Sequence, residues 1–451
     1  MTSVHPSTGR PRGYRTQFVG ANVSIPAAGN RLAQLFLFAA ALVLRSLVVN
    51  AQQADETYYV YINDHPQEAS VDWAENDGQG LTHDADAWFI TQQYALWKVP
   101  VTVDLAQDLG PLVGSGEGDV KRLRLNDAEL PELSGYDHFG DPDYYELSGT
   151  GYVLVPVEDN SLSICSGPVL TQCGICSDFP RLCCPCLPAA LAVFRASDLG
   201  YVKHASFYET AQTSAGWLAV DPAGVIYTSD GGDISSFWRY SVNWPCLEAS
   251  CALVLTLNPN PYNLLTETGG LAVVNSPQGG VISPSGGLFY FSAGYIGDLQ
   301  SSWGIHVFEL ATHRRVQKST NGGGYFEFTF DPSSNEEEPE GLTIWDLDNV
   351  PNTGGGVRGQ LHVMLVDNDN ETFDADDVYI KHYTDSLSVD RSYVGIERGT
   401  WEKPFNTVGE AHGAAWMGAG IRIKGGIYPE IVTLSKKMSV YAEGGLVSIG
   451  R

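Results

Sequence analysis

Five times along the chain a glycine opens an apolar segment: Gly80-Leu81, Gly135-Tyr136, Gly216-Trp217, Gly280-Val281 and Gly341-Leu342, at intervals of 55, 81, 64 and 61 residues. Each is followed by a second run rich in aromatic and β-branched residues with the alternation of a strand: Ala87–Gln92, Gly151–Val157, Val225–Ser229, Leu288–Ala293 and Gln360–Val366. A third strand is expected in every unit, at Leu96–Val101, Leu191–Ala196, Phe237–Val242, Ile305–Leu310 and Val378–Tyr383. Fourth strands are expected at Arg122–Leu125, Leu253–Leu257 and Tyr325–Phe330. Units of about 60 residues with four short strands and turn-rich joints predict an all-β, five-bladed β-propeller. The last unit has no fourth strand of its own after Tyr383, while Thr57–Ile62 is strand-like and has no neighbour. Pairing these two closes the ring and removes an exposed sheet edge. A β-sandwich with a long insertion is the alternative, and it leaves the fivefold period unexplained.

Two segments stand outside this period. Residues 1–51 carry five basic residues and no acid, then a ten-residue apolar run, Leu35–Leu44, then small residues that suit cleavage after Ala51. That is the layout of a secretory signal peptide, so the mature chain is expected to begin at Gln52 and to be secreted. A membrane anchor is the other reading, but the run is short of the roughly 20 residues a span requires, and Arg45 interrupts it. The longest interval between units holds six of the eight cysteines, Cys165, Cys173, Cys176, Cys183, Cys184 and Cys186; Cys246 and Cys251 complete the set. An even count in a Gly/Pro/Ser-rich stretch of an exported chain points to disulfides, with a zinc site or redox chemistry as alternatives.

After Ser386 the pattern changes again. The segment contains Pro404-Phe405-x-Thr407-Val408-x-Glu410-Ala411, then Ile421-x-Ile423-x-Gly425-Gly426-x-Tyr428-Pro429-Glu430-x-Val432. It resembles the beginning of right-handed parallel β-helix proteins of the pectin-lyase-like superfamily. The resemblance implies a capping helix over Thr407–Trp416 and short strands at Ile421–Lys424, Glu430–Leu434 and Ser439–Ala442. It implies little about activity, because the catalytic residues of that superfamily lie on later coils. The expected organisation is thus a signal peptide (1–51), a propeller (52–386) with a Cys-rich insertion at 165–186, and the cap and first one or two coils of a β-helix (387–451). A solenoid needs about three repeats to bury its core, so the last part is either a truncated fragment or a stub packed on the propeller.

Composition narrows the chemistry. With 53 Asp+Glu against 26 Lys+Arg the formal charge is −27, and every acid lies after residue 51. Such a surface repels phosphate backbones, which argues against nucleic acid. Gly-x-Ser-x-Gly, His-Glu-x-x-His, phosphate-binding and dinucleotide glycine motifs are all missing, which argues against a nucleotide cofactor. Ionisable and polar residues instead gather on the expected inner strands: Gln79, Thr82, His83 and Asp84; Asp137, His138 and Asp141; Asp221; Ser283; Glu338, Glu340 and Asp346. Like charges so placed either shift their pKa values or collect a cation such as calcium.

Glu338-Pro339-Glu340-Gly341-Leu342 resembles an inner-strand start in secreted propellers of phytase-like esterase and calcium-binding types. Asp84, Asp137 and Glu340 are the candidate catalytic carboxylates, and Gln79, His83 and His138 the candidate ligand-binding residues. A second acidic cluster, Asp367, Asp369, Glu371, Asp374 and Asp376, is a candidate calcium site without EF-hand spacing. Ten Trp and 22 Tyr supply rings that stack on sugars as well as filling blade cores. Two functions follow: an exported, non-catalytic binder of an extracellular glycan or surface protein, or a secreted polysaccharide hydrolase or lyase working through carboxylates at a propeller mouth.

Overall fold

The computed structural model of the chain describes residues 59–67, 73, 78–116, 119–159, 187–207, 212, 214–294, 303–319, 328, 337–348, 350–367, 377–401, 403–415 and 419–450. The expected signal peptide, the six clustered cysteines, and Asp369, Glu371, Asp374 and Asp376 lie outside the described residues, and of Asp367 only the backbone is described.

Strand β1 (Val60–Asp64) precedes the first blade, which is β2 (Gly78–His83), β3 (Ala87–Gln92), β4 (Ala95–Pro100) and β5 (Lys121–Arg124). Blade 2 comprises β6 (His138–Phe139), β7 (Asp143–Leu147), β8 (Thr150–Glu158), β9 (Ala190–Arg195) and β10 (Tyr201–Ser206). Blade 3 is β11 (Leu218–Val220), β12 (Val225–Thr228), β13 (Ser236–Val242) and β14 (Leu255–Leu257), with β15 (Tyr262–Asn263) also on β13. Blade 4 is β16 (Pro277–Ile282), β17 (Leu288–Ala293), β18 (Gly304–Glu309) and β19 (Arg315–Lys318). Blade 5 is β20 (Glu337–Ile344), β21 (Leu361–Asp367) and β22 (Asp377–Thr384), completed by β1, which pairs antiparallel with β22. The ring is therefore closed by the strand ahead of the first unit, as the unpaired edges predict.

Alternation explains how five sheets make one ring. Within blade 3, Leu218, Val220, Ile226 and Tyr240 pack with blade 2, while Trp217, Ala219, Tyr227 and Phe237 pack with blade 4. Every pair of neighbouring blades shares one such apolar cluster. Both faces of a middle strand are then covered, which is why every residue of β3 and of β17 is buried.

Two elements of the blades depart from expectation. The fourth strand of blade 4 is β19, at Arg315–Lys318, ahead of the Tyr325–Phe330 run. In blade 2 the inner-strand glycine is Gly140. Gly135 lies in a left-handed turn (φ 97°) before the strand, and the inner strand runs through β6, Gly140 and Asp141 into β7, both halves pairing with β8.

Beyond blade 5, β23 (Ser386–Val389), helix α1 (Val408–Ala414), β24 (Gly420–Tyr428) and β25 (Ser439–Ile449) form a three-stranded parallel sheet with a helix on its apolar face. Leu387, Ile421 and Val440 lie in one row of the register, and Val389, Ile423 and Ala442 in another. Residues 430–434 are not a strand; Glu430 caps α1 instead, its carboxylate accepting the Val408 and Gly409 N–H groups at 2.7 and 2.8 Å. Among the described residues, no helix is long and apolar enough to cross a membrane.

Candidate functional site

The inner strands converge where they carry glycine. At Gly140-Asp141-Pro142 the chain leaves β8 and bridges to Trp217 of the next blade, with the Asp141 N–H donating to the Gly216 carbonyl at 2.8 Å. Pro142 has no N–H to continue the ladder, so the strand breaks there and Asp141 turns onto the axis. Its carboxyl accepts from the Leu81 N–H at 3.2 Å and the Gly280 N–H at 3.0 Å, and it is fully buried. A Cβ on Gly80 or Gly341 would overlap this carboxyl. Glycine is required at both positions by close approach, and Asp141 plugs the channel. Burial pushes its pKa well above the carboxylate range; nearby Asp143 adds to the rise, and the two N–H donors oppose it.

The plug separates two mouths. Last residues of the inner strands meet at one: His83 Nε2 lies 2.8 Å from the Ile344 carbonyl, and the Val220 N–H donates to Asp143 Oδ2 at 2.8 Å. First residues meet at the other: His138 Nε2 lies 2.8 Å from Gln79 Oε1, and Gln278 Nε2 donates to Glu338 Oε1 at 2.9 Å.

The last-residue mouth holds a cavity of about 330 Å³. Its polar wall is Thr82, Ser283 and Thr343 with the carboxyl groups of Asp143, Glu146 and Asp221; Tyr144 and Tyr145 add ring surface, and no Lys or Arg is among its described lining residues. Asp143 lies at its buried base, where it also accepts from its neighbour's Tyr144 N–H at 2.7 Å and from Thr82 Oγ1 at 3.5 Å. Burial, outweighing those donors, raises its pKa from 3.8 to about 7. Asp221 differs: its Oδ1 accepts the Ala223 and Val225 N–H groups, both at 2.9 Å, in a turn. His83 stacks on Trp345 with ring centroids 4.5 Å apart, and burial lowers its pKa against the pull of the Asp84 and Ile344 carbonyls.

Of the residues singled out in the sequence, His83 lines this cavity and Asp84 adjoins it, its Oδ1 accepting the Asp86 and Ala87 N–H groups at 2.8 Å. Gln79, His138 and Asp137 belong to the opposite mouth, where the Asp137 N–H donates to the Glu158 carbonyl. Burial raises the Glu158 pKa there, with Asp230 and Asp137 adding to the rise. Glu340 is buried within β20. From Gln79 to Asp84 the extended chain covers about 16 Å, so Asp84 and Asp137 lie at opposite ends of the axis. His83 and His138 likewise do not share a register, since Gly140 sets Asp143 opposite His83. Among the described residues no group of three His, Cys, Asp or Glu side chains is arranged to hold a metal. Cys246 and Cys251 form a disulfide. Asp143 was not among the sequence candidates; the Gly-Asp-Pro triplet just before it is the signal that finds it.

No protein-family model matches the chain, and no curated protein matches it. Among solved structures it is similar to the GH43_1 enzyme from Xanthomonas citri complexed with xylose, at 8% identity and TM-score 0.37, covering 68% of this chain and 87% of that one. It is similar to an exo-1,5-alpha-L-arabinanase from a bovine ruminal metagenomic library, at 13% identity and TM-score 0.35, covering 69% and 94%. It is also similar to the glutaminyl cyclase of Myxococcus xanthus, at 12% identity and TM-score 0.36, covering 72% and 96%. Likenesses at such distances carry no argument about this chain's own activity.

Proposed function

We propose that the chain is an exported recognition protein that takes a neutral glycan, through a chain end or a short branch, into the cavity at the last-residue mouth. The observation that carries this is the cavity's lining. Hydroxyls, carboxylates and tyrosine rings offer hydrogen bonds and a stacking surface, while no Lys or Arg is among the described lining residues to receive an acidic group. A polyuronate would bring its carboxylates against the acidic side chains of Glu146 and Asp221 and pay for the repulsion. The parallel sheet after blade 5 is read, on its in-register parallel pairing and its capping helix, as the opening of a β-helix that extends the scaffold.

One observation favours a second reading, polysaccharide hydrolysis. Asp143, with its pKa raised to about 7 by burial, can hold a proton at the base of a cavity that Glu146 and Asp221 also line, and acid-assisted glycoside cleavage requires a protonated carboxyl beside a second carboxyl group. Asp143 is then the acid in preference to the set Asp84, Asp137 and Glu340, which the plugged axis divides.

The test is co-sedimentation of the full chain with insoluble xylan, arabinan and cellulose against pectate and alginate gels, with calcium or chelator, while released sugar ends are assayed. Calcium is included because 367–376 carries five acids. Neutral polymers should bind, and Ser283→Arg, which fills the cavity, should weaken binding at least tenfold. Preference for polyuronates, or unchanged binding by that variant, removes the reading. Sugar release that Asp143→Asn abolishes establishes the hydrolase instead.

A further inference from the structure

Between blades 5 and 1 lies a polar pair that neither mouth uses. His362 of β21 and His382 of β22 are register partners, both fully buried, with Nδ1 to Nδ1 at 2.6 Å. Their outer nitrogens face backbone: His362 Nε2 lies 2.9 Å from the Trp345 carbonyl and His382 Nε2 lies 2.8 Å from the His65 carbonyl. A carbonyl only accepts, so both Nε2 atoms must carry the proton. A neutral imidazole has one N–H, which leaves two Nδ1 lone pairs pointed at each other. A third proton between them would turn that repulsion into a hydrogen bond and leave one positive charge in the core.

Among the described residues nothing around the pair balances that charge. On the β1 side stands His65, whose own ring is taken by Asp104 Oδ1 at 2.7 Å. On the β2 side His83 lies beyond Trp345. The Trp88 ring of β3 meets His362 edge-on at 5.1 Å. Lys381, next to His382, points to the other face of β22, where it pairs with Asp64 at 3.3 Å. Among the described residues the nearest ionisable neighbours are thus histidines, and no carboxylate is within hydrogen-bond distance of either ring. Burial and these neighbours hold both imidazoles low, His382 at about 3.

The pair joins three segments: the end of β20 through Trp345, the β21–β22 ladder, and the end of β1 through His65. β1 is the strand that closes the ring, and its His65 carbonyl covers His382. We infer that His362 and His382 form an acid-operated latch on ring closure: neutral, they hold the end of β1 against blade 5, and on taking up a proton they release it to water. Released histidines bind protons with ordinary affinity near pH 6.5, whereas the closed pair does not. Below that pH the open form gains about tenfold per unit for each proton taken up. The inference is independent of what the cavity binds. His362 holds the Trp345 carbonyl, the Trp345 ring stacks on His83, and His83 Nε2 lies 2.8 Å from the Ile344 carbonyl, so release also loosens the cavity wall formed by Ile344.

Hydrogen exchange of the full chain, corrected for intrinsic rates, tests the latch. From pH 6.5 to 4.5 the open population at β1 should rise at least tenfold more than at β12 and β13, which carry no histidine. In His382→Asn that excess should vanish. Equal pH dependence in the two regions, or an excess that survives the substitution, overturns the latch. Should the variant not fold, imidazole ¹⁵N spectra of the unsubstituted protein decide. Both rings staying neutral until β1 exchanges supports the latch; titration near pH 6.5 with β1 still protected overturns it.

Discussion

At the axis, two buried carboxyls face backbone N–H groups; at the blade 5 seam, two buried imidazoles face backbone carbonyls and each other. Both pairs are removed from water, yet pH acts on them with opposite sign. Asp143 rises from 3.8 to about 7, so the folded chain holds a proton that the unfolded chain gives up; its stabilisation is complete below about pH 4 and is lost as pH rises to 7. His382 falls from 6.5 to about 3, so its stabilisation is present above pH 6.5 and is lost as pH falls toward 3. Between pH 4 and 6.5 the two oppose each other. A global melting curve hides both, while a local probe separates them. In both places backbone partners moderate the burial, N–H donors for the carboxyl and carbonyls for the imidazoles, but each imidazole of the pair also faces another base.

The largest effect should come from removing the axial titration. Asp143→Asn should abolish a loss on the order of 4 kcal/mol between pH 4 and 7, three pKa units at 1.36 kcal/mol each. Urea midpoints across that range check it. A slope equal to that of the unsubstituted protein would mean that Asp143 ionises normally, and the comparison would collapse. Next in size is Gly341→Ala. Its methyl group overlaps Asp141 and the Gly80 backbone, neither of which can move without opening the plug. A cost of about 3 kcal/mol is expected at pH 5 and pH 8 alike, because the clash is steric. Exchange at β1 should keep its own pH dependence in this variant. If the seam's response changed as well, axis and seam would be one cooperative unit.

How far these regions are legible in the sequence differs for physical reasons. Middle strands such as Ala87–Gln92 and Leu288–Ala293 are found to the residue, because burial on both faces leaves a continuous apolar signal between turns. Glycine places four of the five inner strands, by close approach to Asp141 at Gly80 and Gly341, against the Trp217 ring at Gly280, and with open space around Gly216. In blade 2, Gly135 imitates the signal; the triplet Gly140-Asp141-Pro142 holds the true position, since a proline in a strand marks a break in the ladder. The histidine pair is invisible along the chain. His362 and His382 are twenty residues apart and meet only through the register of β21 and β22, which depends on where the intervening turn falls.

The smallest effect is the finest probe of the axis. Thr82 Oγ1 stands 3.5 Å from Asp143 Oδ1, at the outer limit of hydrogen-bond reach, and its donation favours the ionised carboxyl. Thr82→Val keeps the branched shape in β2 and removes only the hydroxyl. Asp143 should then hold its proton to slightly higher pH, moving its midpoint up by less than about one unit, or roughly 0.5–1 kcal/mol. The carboxyl ¹³C resonance of Asp143 reads this directly. A downward shift would mean that the hydroxyl accepts from a protonated Asp143, so that the axis is wired as a donor toward the cavity. That outcome would suit the hydrolytic reading, since an acid must point its proton at its substrate. An upward shift leaves Asp143 as a carboxyl held by donors from below, oriented to receive a hydroxyl of a bound glycan.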